Sequence, residues 1–141
     1  MSASTYAVRA GVFAALTAGT ALAALVGTRI FHDLAPGSAA YPFVAFAMQG
    51  SAEEQRTLGG GEAWVDYPWQ VKAIAETRDA AEAAYDAAHT AMSAAGAVAA
   101  TGLVVVATTR SVVFTMTETE PSDGTVLHHV GGVYHVMARE N

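Results

Sequence analysis

The sequence predicts an α+β fold: a mostly antiparallel sheet of four to five strands packed against one long helix, with further helices at the N-terminus. Apolar and polar residues alternate from Ala63 to Ala75, as in a strand that buries one face. From Thr77 to Ala95 the apolar residues recur at helical spacing and form a stripe along one side of a helix. The chain has 141 residues, the usual length of one domain, and no low-complexity linker divides it. We therefore expect residues 1–141 to form a single domain.

The N-terminal stretch Ala7–Gly27 is apolar and contains one charged residue, Arg9. It consists mostly of Ala, Gly and Thr, whereas a membrane span needs about 20 strongly apolar residues. A secretory signal would also need a charged start and a cleavage site. We interpret the stretch as two helices, the second running from Ala21 to Val26 with Thr20 as its N-cap and Gly27 as its stop. The alternative is a secretory signal or a membrane anchor over the same stretch.

The remaining strands are predicted from apolar and β-branched runs that end at turn residues. Gly50–Gly61 is predicted to be a loop and Glu120–Gly124 a turn. Pro68 cannot donate a backbone hydrogen bond, so we expect its strand to bulge there or to lie at an edge of the sheet. Gly131–Gly132 is expected to mark a bulge or bend. The strands predicted in addition to Ala63–Ala75 are Thr28–Leu34, Tyr41–Gln49, Leu103–Thr108, Ser111–Thr119 and Val126–Arg139.

The composition favours a protein that buries surface against partners. Apolar residues make up 52% of the chain and charged residues only 14%, whereas about a quarter or more of a monomer's surface is usually charged. The formal net charge is -6, and the seven Lys and Arg residues are scattered, so no basic patch is available for tight nucleic-acid binding. The chain has no cysteine, which excludes disulfides and thiolate metal sites.

The sequence brings together no residues of a reactive centre. Catalysis by nucleophile or by acid and base needs a nucleophile with an oriented base, or paired carboxylates. Asp86 and His89 share a helix face that we expect to be solvated; His129 and His135 share one strand face, and His128 points to the other. Neither set reaches the ligand number of a zinc site. We therefore expect no metal, no cofactor and no enzymatic activity, with a metal enzyme built on these residues as the alternative.

A succession of short motifs over residues 20–76 is similar to one known family. A short helix ending at Gly27 runs into the strand Arg29–Phe31, and Tyr41–Val44 begins the next strand. A polar loop, a long alternating strand and a helix that starts at Arg78-Asp79 follow. In this order and length the chain resembles the small tail terminator, or tail completion, proteins of siphophages.

The resemblance implies a ring, usually a hexamer, that caps the head-proximal end of the tail tube, ends tube polymerisation and docks the tail to the neck. The implied partners are further copies of the chain, the tail tube protein and a head–tail connector or stopper protein. Genomic DNA would pass through the central channel without specific binding. The implied location is the tail or neck of the virion, assembled in the host cytoplasm and without a membrane. The alternatives are another neck component, such as a head-completion protein, or a secreted or membrane-tethered binding module.

Three polar regions are the candidate contacts of such a ring. The loop Gly50–Gly61 and the turn Glu118–Thr125 would meet neighbouring rings. The polar face of Ala63–Ala75 and the sheet edges would meet neighbouring subunits, the edges by strand pairing. The candidate interface residues are Glu53, Glu54, Arg56, Asp66, Gln70, Lys72, Glu118, Glu120 and Asp123.

Overall fold

A computed structural model of the chain describes residues 3–56 and 63–140. Within these residues the fold is α+β, as the sequence predicts, and its sheet is mostly antiparallel. The elements follow in the order α1 (Ala3–Ala18), α2 (Thr20–Val26), β1 (Ile30–His32), β2 (Phe43–Met48), β3 (Glu53–Arg56), β4 (Ala63–Ala75), α3 (Arg78–Ser93), β5 (Leu103–Thr119) and β6 (Val126–Glu140).

The sheet has the strand order β1–β2–β4–β6–β5, and the short β3 pairs with β4 beyond the end of β2. β1 runs parallel to β2, and every other pairing in the described residues is antiparallel. The two long C-terminal strands, β5 and β6, form a hairpin, and β5 is one edge of the sheet. β1 is the opposite edge of the sheet.

Two sequence predictions about strand limits are wrong. β3 lies inside the predicted loop Gly50–Gly61, because its four residues pair with the start of β4. The rest of that loop, from residue 57 onward, lies outside the described residues. β5 is one strand where two were predicted, since its ladder with β6 continues through Thr109 and Arg110. The predicted break appears instead as two register shifts, after Val105 and after Arg110.

The expectation of a bulge or an edge position at Pro68 is also wrong. Pro68 lies in an inner strand opposite His135 of β6, and the register of that ladder is continuous. On its other side, the Gln49 backbone N–H donates to the Pro68 carbonyl at 2.9 Å. The N–H and C=O of one strand residue point to the same side. The missing N–H of Pro68 therefore faces Gln49, in the break between the last residue pair of β2 and the first residue pair of β3.

The pair Gly131–Gly132 marks close approaches rather than a bulge. A Cβ atom at Gly131 would lie 2.8 Å from the Cβ of Lys72 and 2.6 Å from the ring of Phe114. A Cβ atom at Gly132 would overlap the hydroxyl of Tyr85 on α3. The two glycines therefore let neighbouring side chains, including one from the helix layer, rest directly on β6.

The three helices cover one face of the sheet. α3 lies against β4 and β6, and α1 and α2 pack beside α3. The Thr77 hydroxyl accepts a hydrogen bond from the Ala80 N–H at 3.2 Å, as expected of an N-cap. The N-cap of α2 is Gly19 rather than the predicted Thr20, while Gly27 ends the helix with a φ of 59°. The largest buried side chains of the resulting core are Trp69, Tyr134, Phe46, Leu16, Leu22 and Met92.

No single helix among residues 3–56 and 63–140 is long and apolar enough to cross a membrane. α1 and α2 together reach the necessary length and hydropathy, but they meet at an angle of 80°. Both helices place valine and leucine side chains in the core, among them Val12, Leu16 and Leu22.

Gly132→Ala tests the close approach of α3 to the sheet. We expect it to lower the free energy of unfolding by about 1–3 kcal/mol, because the new methyl group forces Tyr85 away from β6. Urea denaturation of both proteins measures the difference. The matched control is Gly37→Ala, since a Cβ at Gly37 meets no atom within 4 Å. Equal denaturation midpoints for the Gly132 variant and the wild type would show that the approach is not tight.

Candidate functional site

The face of the sheet opposite the helices, here called the open face, carries three of the predicted interface residues. Asp66, Gln70 and Lys72 alternate along β4 with the core residues Trp69 and Val71, so they project together from this face. All three are half-buried. The structure therefore brings the three side chains onto one surface, where neighbouring side chains cover part of each of them.

Asp66 is hydrogen-bonded within the chain. Both of its carboxylate oxygens lie 2.9 Å from Nδ1 of His135, and Nε2 of the same ring lies 2.9 Å from the hydroxyl of Ser111. Ser111 occupies the register shift after Arg110. Three side chains from β4, β6 and β5 thus tie the strands together across the open face. The sequence could not predict this contact, because its partners lie 69 and 24 residues apart along the chain.

The order of these hydrogen bonds, from serine to histidine to aspartate, is that of an acyl-transfer triad. A groove of about 380 Å³ lies beside it and is lined by Gln49, Asp66, Pro68 and His135, among others. Ser111 does not line this groove. What the geometry shows is a link between β4, β6 and β5 through these three side chains.

A second pair, His129 with Glu118, lies on the open face. Nε2 of the buried His129 is 2.7 Å from the Glu118 carboxylate, which is half-exposed. His129 and His135 share this face and His128 points to the helices, as predicted from the alternation of strand residues. Across residues 3–56 and 63–140, no three His, Asp or Glu side chains come together as metal ligands.

His89 is not part of a solvated helix face, contrary to the sequence prediction. Its Nδ1 lies 2.7 Å from the hydroxyl of Tyr134, which in turn lies 2.9 Å from the hydroxyl of Tyr85. Burial and the positive charge of Arg110 lower the pKa of His89, and burial raises the pKa of Tyr134. The last turns of α3 lie over β6, so the side chain of His89 points toward the sheet. Asp86, three residues earlier, is exposed as expected.

The turn between β5 and β6 carries the other acidic candidates. The Glu120 backbone N–H donates to the Thr125 carbonyl at 2.7 Å, and the Thr125 N–H donates to the Asp123 carboxylate at 2.9 Å. This last hydrogen bond lowers the pKa of Asp123. Glu120 and Asp123 are therefore held on an ordered turn at the tip of the hairpin.

Glu53, Glu54 and Arg56 lie at the other end of the sheet, in β3. β3 pairs with the start of β4, which lies opposite the C-terminal part of β6. The Glu120–Thr125 turn adjoins the first residues of β6. About twelve strand residues separate the two ends, a distance of about 40 Å. The predicted contacts therefore form two separate hairpin ends and an open face between them, rather than one continuous site.

Sequence reasoning missed the apolar exposure of β5. Val112 and Met116 on the open face are 52% and 47% exposed, and Val113 on the helix side is 53% exposed. Proteins usually protect an edge strand with short length, charges, proline or bulges. β5 has 17 residues and two register shifts, and its charged residues are Arg110 and Glu118, so the apolar side chains between these two remain exposed. The run of Val and Thr in the sequence indicates a strand. It could not identify β5 as an edge strand, because inner strands have the same composition.

An α+β domain with a long, apolar edge strand and two polar hairpin ends has the surfaces of an assembly subunit. The family profile described as "Tail completion protein gp17" matches residues 10–130. The chain therefore belongs to the family of tail completion proteins, and it is a structural protein of the virion tail. This confirms the resemblance seen in the sequence.

The fold is similar to a chain in a solved structure titled "Virion of native gene transfer agent (GTA) particle". The TM-score is 0.75, the sequence identity is 20%, and the match covers 99% of each chain. At this identity the likeness shows the fold alone. No curated protein sequence gives a significant match.

Asp66→Ala tests the link across the open face. We expect the variant to lose about 1 kcal/mol of stability, because His135 loses its acceptor while the ring stays partly buried. Gln70→Ala, on the same face of the same strand, is the control and should change stability by less than about 0.5 kcal/mol. Thermal denaturation of Asp66→Ala, His135→Ala and the double variant measures the coupling. Strictly additive losses would contradict a link between the two side chains.

Proposed function

We propose that the chain is a tail terminator: it forms a ring, most simply a hexamer, on the head-proximal end of the tail tube. In this proposal residues 1–141 act as one tail-terminator-like domain that ends tube polymerisation and docks the tail to the neck. Membership of the tail completion family is the observation that carries the proposal. The exposed edge strand supports self-association, because a chain that stayed alone would leave the apolar side of β5 in water.

The two hairpin ends give the ring two different surfaces. One end carries Glu53, Glu54 and Arg56 of β3, and the other carries Glu120 and Asp123 on the turn. With the long strands aligned along the channel, one end meets the tail tube protein and the other meets the connector or stopper protein of the neck. The ring is then a joint between two partners, assembled in the host cytoplasm and retained in the virion.

The charge of the chain suits a channel through which DNA moves. The formal net charge is -6, and the seven basic residues are dispersed. Phosphate groups are attracted to clustered lysine and arginine and are repelled by an acidic surface. A ring of such subunits therefore lets genomic DNA pass without holding it.

Particles made without the protein test the proposed function. We expect tails of abnormal length or tails that do not join to heads, because nothing ends the tube or docks it. Negative-stain electron microscopy measures tail length and joining. Purified wild-type protein added to separated heads and tails should restore joining, and Gly37→Ala protein should do so equally well.

A different defect would contradict the proposal. Heads that have lost their DNA, beside tails of normal length, would indicate a head-completion protein of the neck. Normal particles in normal yield would remove any role in tail completion.

A further inference from the structure

We infer that the ring contact is head-to-tail: the outer β5–β6 hairpin of one copy docks into a groove beside α1 of the next copy. The outer hairpin is defined here as residues 111–130. The α1 groove is lined by Tyr6, Arg9, Ala10, Phe13, His32 and Phe46 and has a volume of about 370 Å³. This inference rests on the proposed function, since it requires that the chain associates with itself.

The α1 groove is aromatic and open to solvent. Tyr6 and Phe13 are 58% and 45% exposed, although both belong to a helix that otherwise packs on the sheet. The ring of Phe13 lies 6.1 Å from that of Phe46, which is fully buried, so the wall of the groove continues into the core. The Arg9 guanidinium lies over the ring of Tyr6, 4.7 Å from its centre. An apolar side chain entering the groove would be enclosed by rings and by one positive charge.

The outer hairpin offers the matching shape. Met116 projects from the open face near the middle of the hairpin and is half-exposed. Methionine is unbranched and flexible, and its thioether packs favourably against aromatic rings. Val112 extends the same apolar row along the open face of β5. The hairpin therefore carries apolar side chains that complement the aromatic lining of the groove.

The two surfaces carry different charges. Among the residues that line the α1 groove, Arg9 is the one with a full charge, and it is positive. Residues 111–130 contain Glu118, Glu120 and Asp123 and no Lys or Arg, a formal charge of -3. Asp33 lies 3.4 Å from His32 at the rim of the groove and offsets part of this positive charge. The acidic hairpin is therefore attracted to Arg9 in particular, and this attraction favours the proposed orientation during encounter.

The position of the two surfaces makes the contact heterologous. α1 packs against β1, which is one edge of the sheet, while the outer hairpin includes β5, the opposite edge. Such a contact joins two different surfaces, so each added copy offers a free surface to the next copy. The copies form a closed ring when the rotation between neighbours adds up to a full turn. Each subunit then uses its hairpin once and its groove once.

Introduced cysteines test the contact, because the chain has none of its own. Phe13→Cys and Met116→Cys are placed in one chain, which is supplied to particles that lack the protein. After mild oxidation, non-reducing gels should show a ladder of covalent species that ends at the number of subunits in the ring. A mixture of the two single variants should give only the heterodimer. The matched control pairs Phe13→Cys with Val106→Cys, since Val106 is 43% exposed on β5 but lies outside the hairpin.

The possible results separate the inference from the proposed function. A homodimer of Met116→Cys alone would indicate hairpin-to-hairpin pairing and would overturn the inference. Cross-linking through Val106 instead of Met116, or none while the protein is present at the end of the tail, would overturn it as well. In each of these three cases the tail terminator role would stand. Absence of the protein from the particles would instead overturn the proposed function itself.

Charge reversal provides a second measurement that needs no cross-link. Arg9→Glu should lower the yield of joined particles about fivefold, the size expected when one ion pair becomes a repulsive pair. Glu118→Arg, two residues from Met116 on the same face of β5, should recover most of the yield when it is added to the same chain. Arg78→Glu, on the exposed side of α3, is the control and should join normally. No recovery in the double variant, with both proteins folded by circular dichroism, would contradict the docking of the hairpin beside Arg9.

Discussion

The 16 residues of α3 rise about 24 Å, whereas the 17 residues of β5 extend for about 58 Å. One helix of this length cannot cover a sheet built from such strands, and α1 and α2 lie beside it rather than beyond its end. The tip of the β5–β6 hairpin therefore has no helix over it. Val113, opposite Gly132, faces the helix side and is nevertheless exposed, because α3 packs mainly on β4 and β6 and not on the edge strand. The surface available for assembly follows from this difference in length.

The sequence predicted the elements whose side-chain pattern is set locally. β4 alternates between Trp69 and Gln70, and α3 has its stripe and its Thr77 cap, so both have the predicted limits to within two residues. β3 could not be predicted in the same way. Its four residues are all polar, and their strand conformation depends on pairing with β4. The continuity of β5 through Arg110 likewise depends on β6, which supplies the ladder partners that the local sequence does not indicate.

Sequence reasoning predicted Asp66 and Glu118 as interface residues, and that prediction stands. It did not foresee that each of them also accepts a hydrogen bond from a histidine of β6. Strand alternation identifies the face of a residue, whereas the partner depends on register. The shift after Arg110 brings Ser111 beside His135, and no sequence pattern encodes that shift. Because these polar groups are already paired, a partner that covered them would gain little, and the unpaired apolar side chains of β5 are the more favourable surface.

An edge strand as long as β5 has two ways to be covered by another copy. If two β5 edges paired with each other, the contact would be two-fold symmetric and assembly would end at a dimer. In such a pair the two strands run antiparallel, so each acidic turn lies at an opposite end of the contact. A contact between the hairpin and a different surface of the next subunit is not limited to two copies, because every subunit keeps one hairpin and one receiving surface free for a further neighbour. Such a contact is the condition for building a ring.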